Sequence, residues 1–352
     1  MKRTLKYFAL LVALFCPSMT HAKPRKSRRA RTTIKKPIVA AKKIKITPAM
    51  LRGKIVFMQD FDLWAMKPDG SGRIKILSKP FVGAFSSSYV SFSPDLTQIA
   101  LVCGDPKQAS YSNQELFIMR LDGTQRRQLT NRKYAYAVLN PRFSPDGKQI
   151  VYERGSGMHM GGPMNYYADV WVVNIDGSDH HRVTDDNGYG YYNPCWSRDG
   201  KRIYYTRIKD GIYEAAETIP KGELWSIKLD GSDEKSSIGQ ESQLLREDIS
   251  PDGKWLAYRR EDLQSGEREW RYGELMLRSL ASGEEKRLTF NRDSTEYNIA
   301  WGSDSRHLSF YSVRSLTDNN TSNQQSELWT ANVEGTAVRP LDLKAHLIAW
   351  LP

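Results

Sequence analysis

The chain is poor in the residues that most often carry chemistry. Its 352 residues include three cysteines and six histidines. No Cys-x-x-Cys and no His-x-x-x-His occurs, which removes the usual zinc spacings. No Gly-x-Ser-x-Gly elbow occurs either, which removes the common serine-hydrolase turn. One cysteine, Cys16, lies in the N-terminal apolar stretch. That leaves Cys103 and Cys195, too few for a disulfide framework. They fall two repeats apart and are expected as buried free thiols. No apolar run reaches the ~20 residues that a membrane-spanning helix requires. Of the histidines, His180, His181, His307 and His346 sit at repeat positions, and His159 alone falls in a variable loop. One histidine makes no metal site, so neither a metal nor a cofactor is expected.

Charge is present but unevenly placed. The formal net charge is +12, from 52 basic and 40 acidic residues. Residues 1–45 hold 14 of the basic residues and no acid, which leaves 38 against 40, a net of −2, for residues 46–352. The first 22 residues read as a cleavable signal: Lys2, Arg3 and Lys6 precede the apolar run Tyr7 to Cys16, and Thr20-His21-Ala22 offers a cleavage site. A periplasmic or secreted protein is therefore expected. Residues 23–45 read as a disordered basic tail. Its Arg25, Lys26, Arg28, Arg29 and Arg31 could contact an anionic surface or serve as a solvated linker. Nucleic acid is not an expected partner for an exported chain.

Residues 46–352 are one unit written repeatedly. Phe92-Ser-Pro-Asp, Phe143-Ser-Pro-Asp-Gly-Lys, Trp196-Ser-Arg-Asp-Gly-Lys, Ile249-Ser-Pro-Asp-Gly-Lys, Trp301-Gly-Ser-Asp-Ser-Arg and the terminal Trp350-Leu-Pro lie 51, 53, 53, 52 and 49 residues apart. A fixed period of that size marks a propeller or an array. Each copy reads as four strands. A short strand enters the Ser-Pro-Asp-Gly turn, and an alternating strand such as Gln149 to Tyr152 follows. A Leu-Trp or Val-Trp strand then ends in an Asp-Gly hairpin, and a short fourth strand closes the unit. The chain ends complement each other: Gly53 to Ser78 supplies three strands, and Ala345 to Pro352 supplies the missing one. The expectation is an all-β fold: a six-bladed β-propeller of four-stranded antiparallel blades, closed by pairing the C-terminal strand with the first blade. It is expected to be a monomer.

A four-stranded meander places its turns alternately on two faces. The Ser-Pro-Asp-Gly turns and Asp-Gly hairpins share one face and are short. The other face takes the long loops, 154–167, 208–222, 261–272 and 314–326, and the connections between blades. Loops on a rigid scaffold are where binding usually resides, and Tyr, Trp and Met are enriched in interface cores. The candidate binding residues are Met158, His159, Met160, Tyr166, Tyr167, Tyr189, Tyr191, Tyr192, Tyr213, Trp270 and Tyr272, although about half of such tyrosines would pack between blades. The recurring Phe143, Trp196, Trp301, Trp350, Trp64, Trp171, Trp225 and Trp329 are expected to be blade packing. Asp146, Asp199 and Asp252 are expected to cap their own turns.

The segment Pro141-Arg-Phe-Ser-Pro-Asp-Gly-Lys-Gln-Ile-Val-Tyr152, with its Val-Trp-Val strand, Asp-Gly and Arg182-Val-Thr184, resembles the WD-like repeats of TolB-like propellers. Leu129-Thr130 and Leu288-Thr289 match the fourth-strand ending of that family. The resemblance covers about residues 50–352 and implies a periplasmic six-bladed propeller that binds envelope proteins. TolB carries an α/β domain before its propeller, where this chain has a short basic tail, so a stand-alone TolB-like propeller is expected. Similar repeats occur in the propellers of serine peptidases and oligosaccharide lyases. Two alternatives therefore stand beside a protein-binding module: a glycan or small-ligand binder on the same face, and a sugar-acid lyase or lactonase using the central channel.

Overall fold

The structure, a computed structural model, describes residues 46–60, 62–78, 90–104, 114–131, 138–156, 165–185, 188–209, 212–213, 222–242, 245–261, 273–290, 294–315, 324–341 and 346–352. The expected signal segment and basic tail, with Arg25, Lys26, Arg28, Arg29 and Arg31, lie outside these residues.

Six blades follow in chain order, and each runs from an inner strand to an outer one. Blade one is β25 (His346–Trp350), β1 (Ile55–Gln59), β2 (Asp62–Met66) and β3 (Ile74–Leu77). Blade two is β4 (Val90–Phe92), β5 (Gln98–Gly104), β6 (Gln114–Arg120) and β7 (Arg127–Gln128). Blade three is β8 (Val138–Phe143), β9 (Gln149–Ser156), β10 (Asn165–Asn174) and β11 (His181–Arg182). Blade four is β12 (Tyr189–Trp196), β13 (Arg202–Lys209), β15 (Gly222–Lys228) and β16 (Lys235–Ser242), with β14 (Ile212–Tyr213) between its middle strands in sequence. Blade five is β17 (Leu245–Ile249), β18 (Trp255–Glu261), β19 (Gly273–Ser279) and β20 (Glu285–Arg287). Blade six is β21 (Ser294–Trp301), β22 (His307–Ser315), β23 (Gln324–Asn332) and β24 (Arg339–Pro340). A single short helix, α1 (Pro48–Leu51), precedes β1 among the described residues.

The ring closes as its partial repeats require. β25 runs antiparallel to β1, with Ile55 opposite Trp350 and Val56 opposite Ala349. Each inner strand neighbours the next, from β25 to β4, β8, β12, β17, β21 and back to β25.

The core lies between blades, because both faces of every blade are covered. In β5, Ile99, Leu101 and Cys103 pack toward blade one, whereas Ala100 and Val102 pack toward blade three. The seam between blades six and one is built the same way, from Ile55, Phe57 and Met66 against Ala300, Tyr311 and Leu328. Phe143 and Trp301 are buried, and Trp64, Trp171, Trp225 and Trp329 are partly buried against these clusters.

The repeated turn is a small hydrogen-bonded device. In blade three the Ser144 hydroxyl donates to Asp146 Oδ1 at 2.6 Å and accepts from the Gln149 N–H at 2.9 Å. Asp146 Oδ1 also accepts from the Lys148 N–H at 3.0 Å. Blades two, four and five repeat it with Ser93 and Asp95, Ser197 and Asp199, and Ser250 and Asp252. The turn's fourth residue adopts a left-handed conformation, which Gly147 takes at φ 72° without strain. Where the repeat degenerates, Leu96 and Ser305 are held there at φ 57° and 56°.

The third and fourth strands are tied by a second device. The Thr130 hydroxyl accepts from the Leu116 N–H at 2.9 Å and donates to Glu115 Oε2 at 2.5 Å. Thr184 and Thr289 accept in the same way from the Val170 and Leu275 N–H groups. This is the physical content of the Leu-Thr ending.

Candidate functional site

The loop face of blades three and four gathers part of the expected binding set. β9 and β10 run on beyond the body of blade three, and Tyr167 pairs with Ser156 near the end of that extension. β14, from the long connection of blade four, crosses over and pairs with β10, placing Asn165 opposite Tyr213 and Tyr166 opposite Ile212. Tyr166, Tyr167 and Tyr213 therefore share one three-stranded ridge made by two blades. Of these, the Tyr167 side chain is described and is half-buried.

Tyr189, also half-buried, begins β12 below this ridge. The Arg207 guanidinium stands 4.4 Å from its ring centroid and 3.4 Å from that of Trp225. Arg207 donates to Glu223 Oε2 at 3.1 Å, and the Trp225 indole N–H donates to the same oxygen at 2.7 Å. Arg154 lies 4.6 Å over Trp171 in blade three. Each stack holds a cation over an aromatic face.

Two expected binding residues belong to the core instead. Tyr191 is 1% exposed and meets Tyr205 edge-on, with centroids 5.4 Å apart. Tyr192 is 5% exposed and packs with Ala168 and Ile208. Its hydroxyl fills the space beside Gly190, where an added Cβ would collide with it. Consecutive tyrosines are both buried because the two faces of blade four both meet neighbouring blades. Met158, His159, Met160, Trp270 and Tyr272 lie outside the described residues.

The inner strands carry groups that repeat pairing did not single out. Ser91, Arg142, Cys195, Asp248, Ala300 and Ala349 occupy matching positions on the six inner strands, opposite Ala100, Val151, Tyr204, Ala257, Ser309 and Val56. A cation, a carboxylate and a thiol thus occupy one matching position on the inner strands. Burial pushes the Asp248 carboxyl up to about 6, against the opposing pull of Arg142 and of backbone N–H bonds. Among the described residues neither thiol forms a disulfide; Cys103 is buried as expected, whereas Cys195 is only half-buried. The signal that could have found this position is the residue before the recurring aromatic, which varies among Ser, Arg, Cys, Asp and Ala. Among the described residues, no group of three or more His, Cys, Asp or Glu side chains is placed to hold a metal ion.

These carboxylates set a pH response with two limbs. Asp69, Asp122, Asp146, Asp176, Asp199 and Asp230 are held below the usual carboxylate range, first by a neighbouring serine or threonine hydroxyl and then by a backbone N–H. In Asp95, Asp252 and Asp304 burial pushes upward, but their hydrogen bonds together outweigh it. A lowered carboxylate contributes stability above its unfolded pKa and loses it as pH falls through the folded value. Asp248 has the opposite sign: the folded state binds its proton more tightly, so between its unfolded value and about 6 it favours the fold as pH falls. The melting temperature should hold or rise from pH 7 to 5 and then fall below about pH 4. Thermal melts across this range test it, and Asp248→Asn should flatten the upper limb alone. A melting temperature still undiminished at pH 3 would show that the turn carboxylates contribute nothing.

No protein-family model matches the chain, and no curated protein does. Solved structures do. The putative TolB from Agrobacterium tumefaciens matches with a TM-score of 0.54 at 15% identity, over 78% of this chain and 86% of that one. TolB from Acinetobacter baumannii matches with a TM-score of 0.57 at 18% identity, over 85% of this chain and 66% of that one. The fold is that of a TolB-like six-bladed propeller. At these identities the likeness speaks for the fold alone. The same fold also matches puromycin hydrolase, with a TM-score of 0.51 at 14% identity, over 82% of this chain and 43% of that one. A TolB-like propeller therefore does not by itself decide between a binding module and part of an enzyme.

Proposed function

We propose that this chain is an exported protein-binding propeller of the cell envelope that holds its partner on the loop face of blades three and four. The observation that carries the reading is the β10–β14 joint, which unites Tyr166, Tyr167 and Tyr213 from two blades on one ridge. Tyrosine offers large contact area at low entropic cost. The turn face, by contrast, spends its polar groups on its own backbone. In the same reading the basic segment 23–45 holds the protein near an anionic surface, such as lipid headgroups or an acidic envelope polymer.

The test is capture from an envelope extract by the wild-type protein and by a variant with Tyr166, Tyr167 and Tyr213 changed to Ala. An aromatic anchor at an interface centre contributes about 2 kcal/mol, or ~30-fold in affinity. One protein should be captured by the wild type and lost with the variant, while both melt alike. Equal capture by both would move the binding face elsewhere. Capture of nothing by either would turn attention to a glycan or to the channel.

A further inference from the structure

Five of the six blades guard their outer edge by keeping it short. The outer strands β3, β7, β11, β20 and β24 have four, two, two, three and two residues. Blade four breaks the rule, because β16 runs for eight residues, Lys235 to Ser242. The sequence of this blade departs from that of blade two at the same point. Leu129 returns to the third strand of blade two through its N–H to Leu116 O, and the Thr130 hydroxyl then ends the outer strand. In blade four Leu224 faces Ile238, and Gly239 stands where a threonine would. There the outer strand continues along the rim. Its register with β15 shifts twice, so Ser237 and residues 239–241 have no partner residue on that strand. It is the length of the edge that makes it a template for another strand, since an edge strand presents a row of backbone groups along its outer side.

We propose that this edge pairs with the same edge of a second copy of the chain, antiparallel about a two-fold axis at Ile238. The heptad Lys235-Ser-Ser-Ile-Gly-Gln-Glu241 is complementary to its own reverse. Centred on Ile238, it sets Lys235 opposite Glu241, Ser236 opposite Gln240 and Ser237 opposite Gly239, and the symmetry makes each pair twice. An isologous contact needs this self-complementarity, and opposite charges directly across a strand pair stabilise it. Lys235 is available for the role. Its side chain is 58% exposed and only 3.9 Å from Asp233, a carboxylate that Arg202 already holds at 2.6 Å. The pairing would join two blades into one sheet across the dimer and leave both loop faces open. It is independent of the loop-face reading.

Sedimentation velocity of the purified protein over a wide concentration range tests the proposal. The wild type should pass from the mass of one chain to that of two. Lys235→Glu and Glu241→Lys should each raise the concentration needed for dimerisation by about tenfold, since each sets like charges across the pair. The double variant Lys235→Glu/Glu241→Lys restores opposite charges and should return to the wild-type curve. Matching thermal melts would show that all four proteins are folded. A wild type that stays at one chain throughout overturns the proposal. So does a dimer indifferent to the single reversals, or a double variant that fails to recover.

Discussion

Removal of residues 346–352 is expected to leave no stable propeller. This segment is the inner strand of a blade whose other three strands come from the opposite end of the chain. Its ladder with β1 sets Ile55, Val56, Phe57 and Met58 opposite Trp350, Ala349, Leu347 and His346. The ladder continues where Leu351 N–H donates to Lys54 O at 2.8 Å and Gly53 N–H donates to Pro352 O at 3.1 Å. Ile55, Val56 and Phe57 are fully buried and Leu351 is 1% exposed. Uncovering Ile55, Val56 and Phe57 and losing the buried Leu351 costs about 2 kcal/mol for each of the four. A loss of about 8 kcal/mol is comparable to the whole stability of a typical folded domain. It would also open an edge along β1, where other chains could pair. Circular dichroism melts and size exclusion of residues 1–345 against the full chain give the answer. Unfolded or aggregated protein is expected, and a cooperative melt near the wild-type temperature would mean that the ring does not depend on joining its ends.

The fold was legible because each repeat states its own turn chemistry. Ser-Pro-Asp-Gly names a hydrogen-bonded turn and a left-handed glycine, and Asp-Gly names a hairpin. The distance between copies then gives the blade. Complementary ends gave the closure. The candidate site was less legible, because its geometry depends on contacts between blades. Nothing local to Ile212-Tyr213 announces a two-residue strand that pairs with blade three. Tyr191 and Tyr192 look like a loop-face pair in sequence, yet a blade packed on both sides has no wet face for them. The matching inner-strand position escaped for the opposite reason. Arg142, Cys195 and Asp248 occupy one structural position but share no residue type, so a search for likeness between repeats passes over them.

The same blindness to differences between repeats hides Glu153, whose replacement by Ala is expected to cost about 3 kcal/mol. Its counterparts in the other blades are Met58, Val102, Thr206, Arg259 and Tyr311, so the blade itself does not require a carboxylate there. The reason lies at one seam. β8 and β12 both bulge at an asparagine held in the left-handed conformation, Asn140 at φ 50° and Asn193 at φ 52°. A bulge leaves backbone groups outside the ladder, and Glu153 is placed to receive them. Its Oε1 accepts from Asn140 Nδ2 at 2.5 Å and from the Asn193 N–H at 2.5 Å, and the two asparagine side chains meet at 3.3 Å. The carboxylate is 2% exposed, so water cannot readily take its place. Alanine would leave a buried N–H and an amide without their acceptor and open a cavity between blades three and four. Val170, the partner of Glu153 across the sheet, lies four residues after Tyr166 on β10, so the ridge would loosen with it. Thermal and chemical denaturation should show a melting temperature lower by about 5–10 °C. Glu153→Gln keeps an acceptor oxygen and should lose less than half as much. Equal losses for the two variants would assign the effect to charge, and a loss within about 0.5 kcal/mol for Ala would mean that the two bulges hold without it.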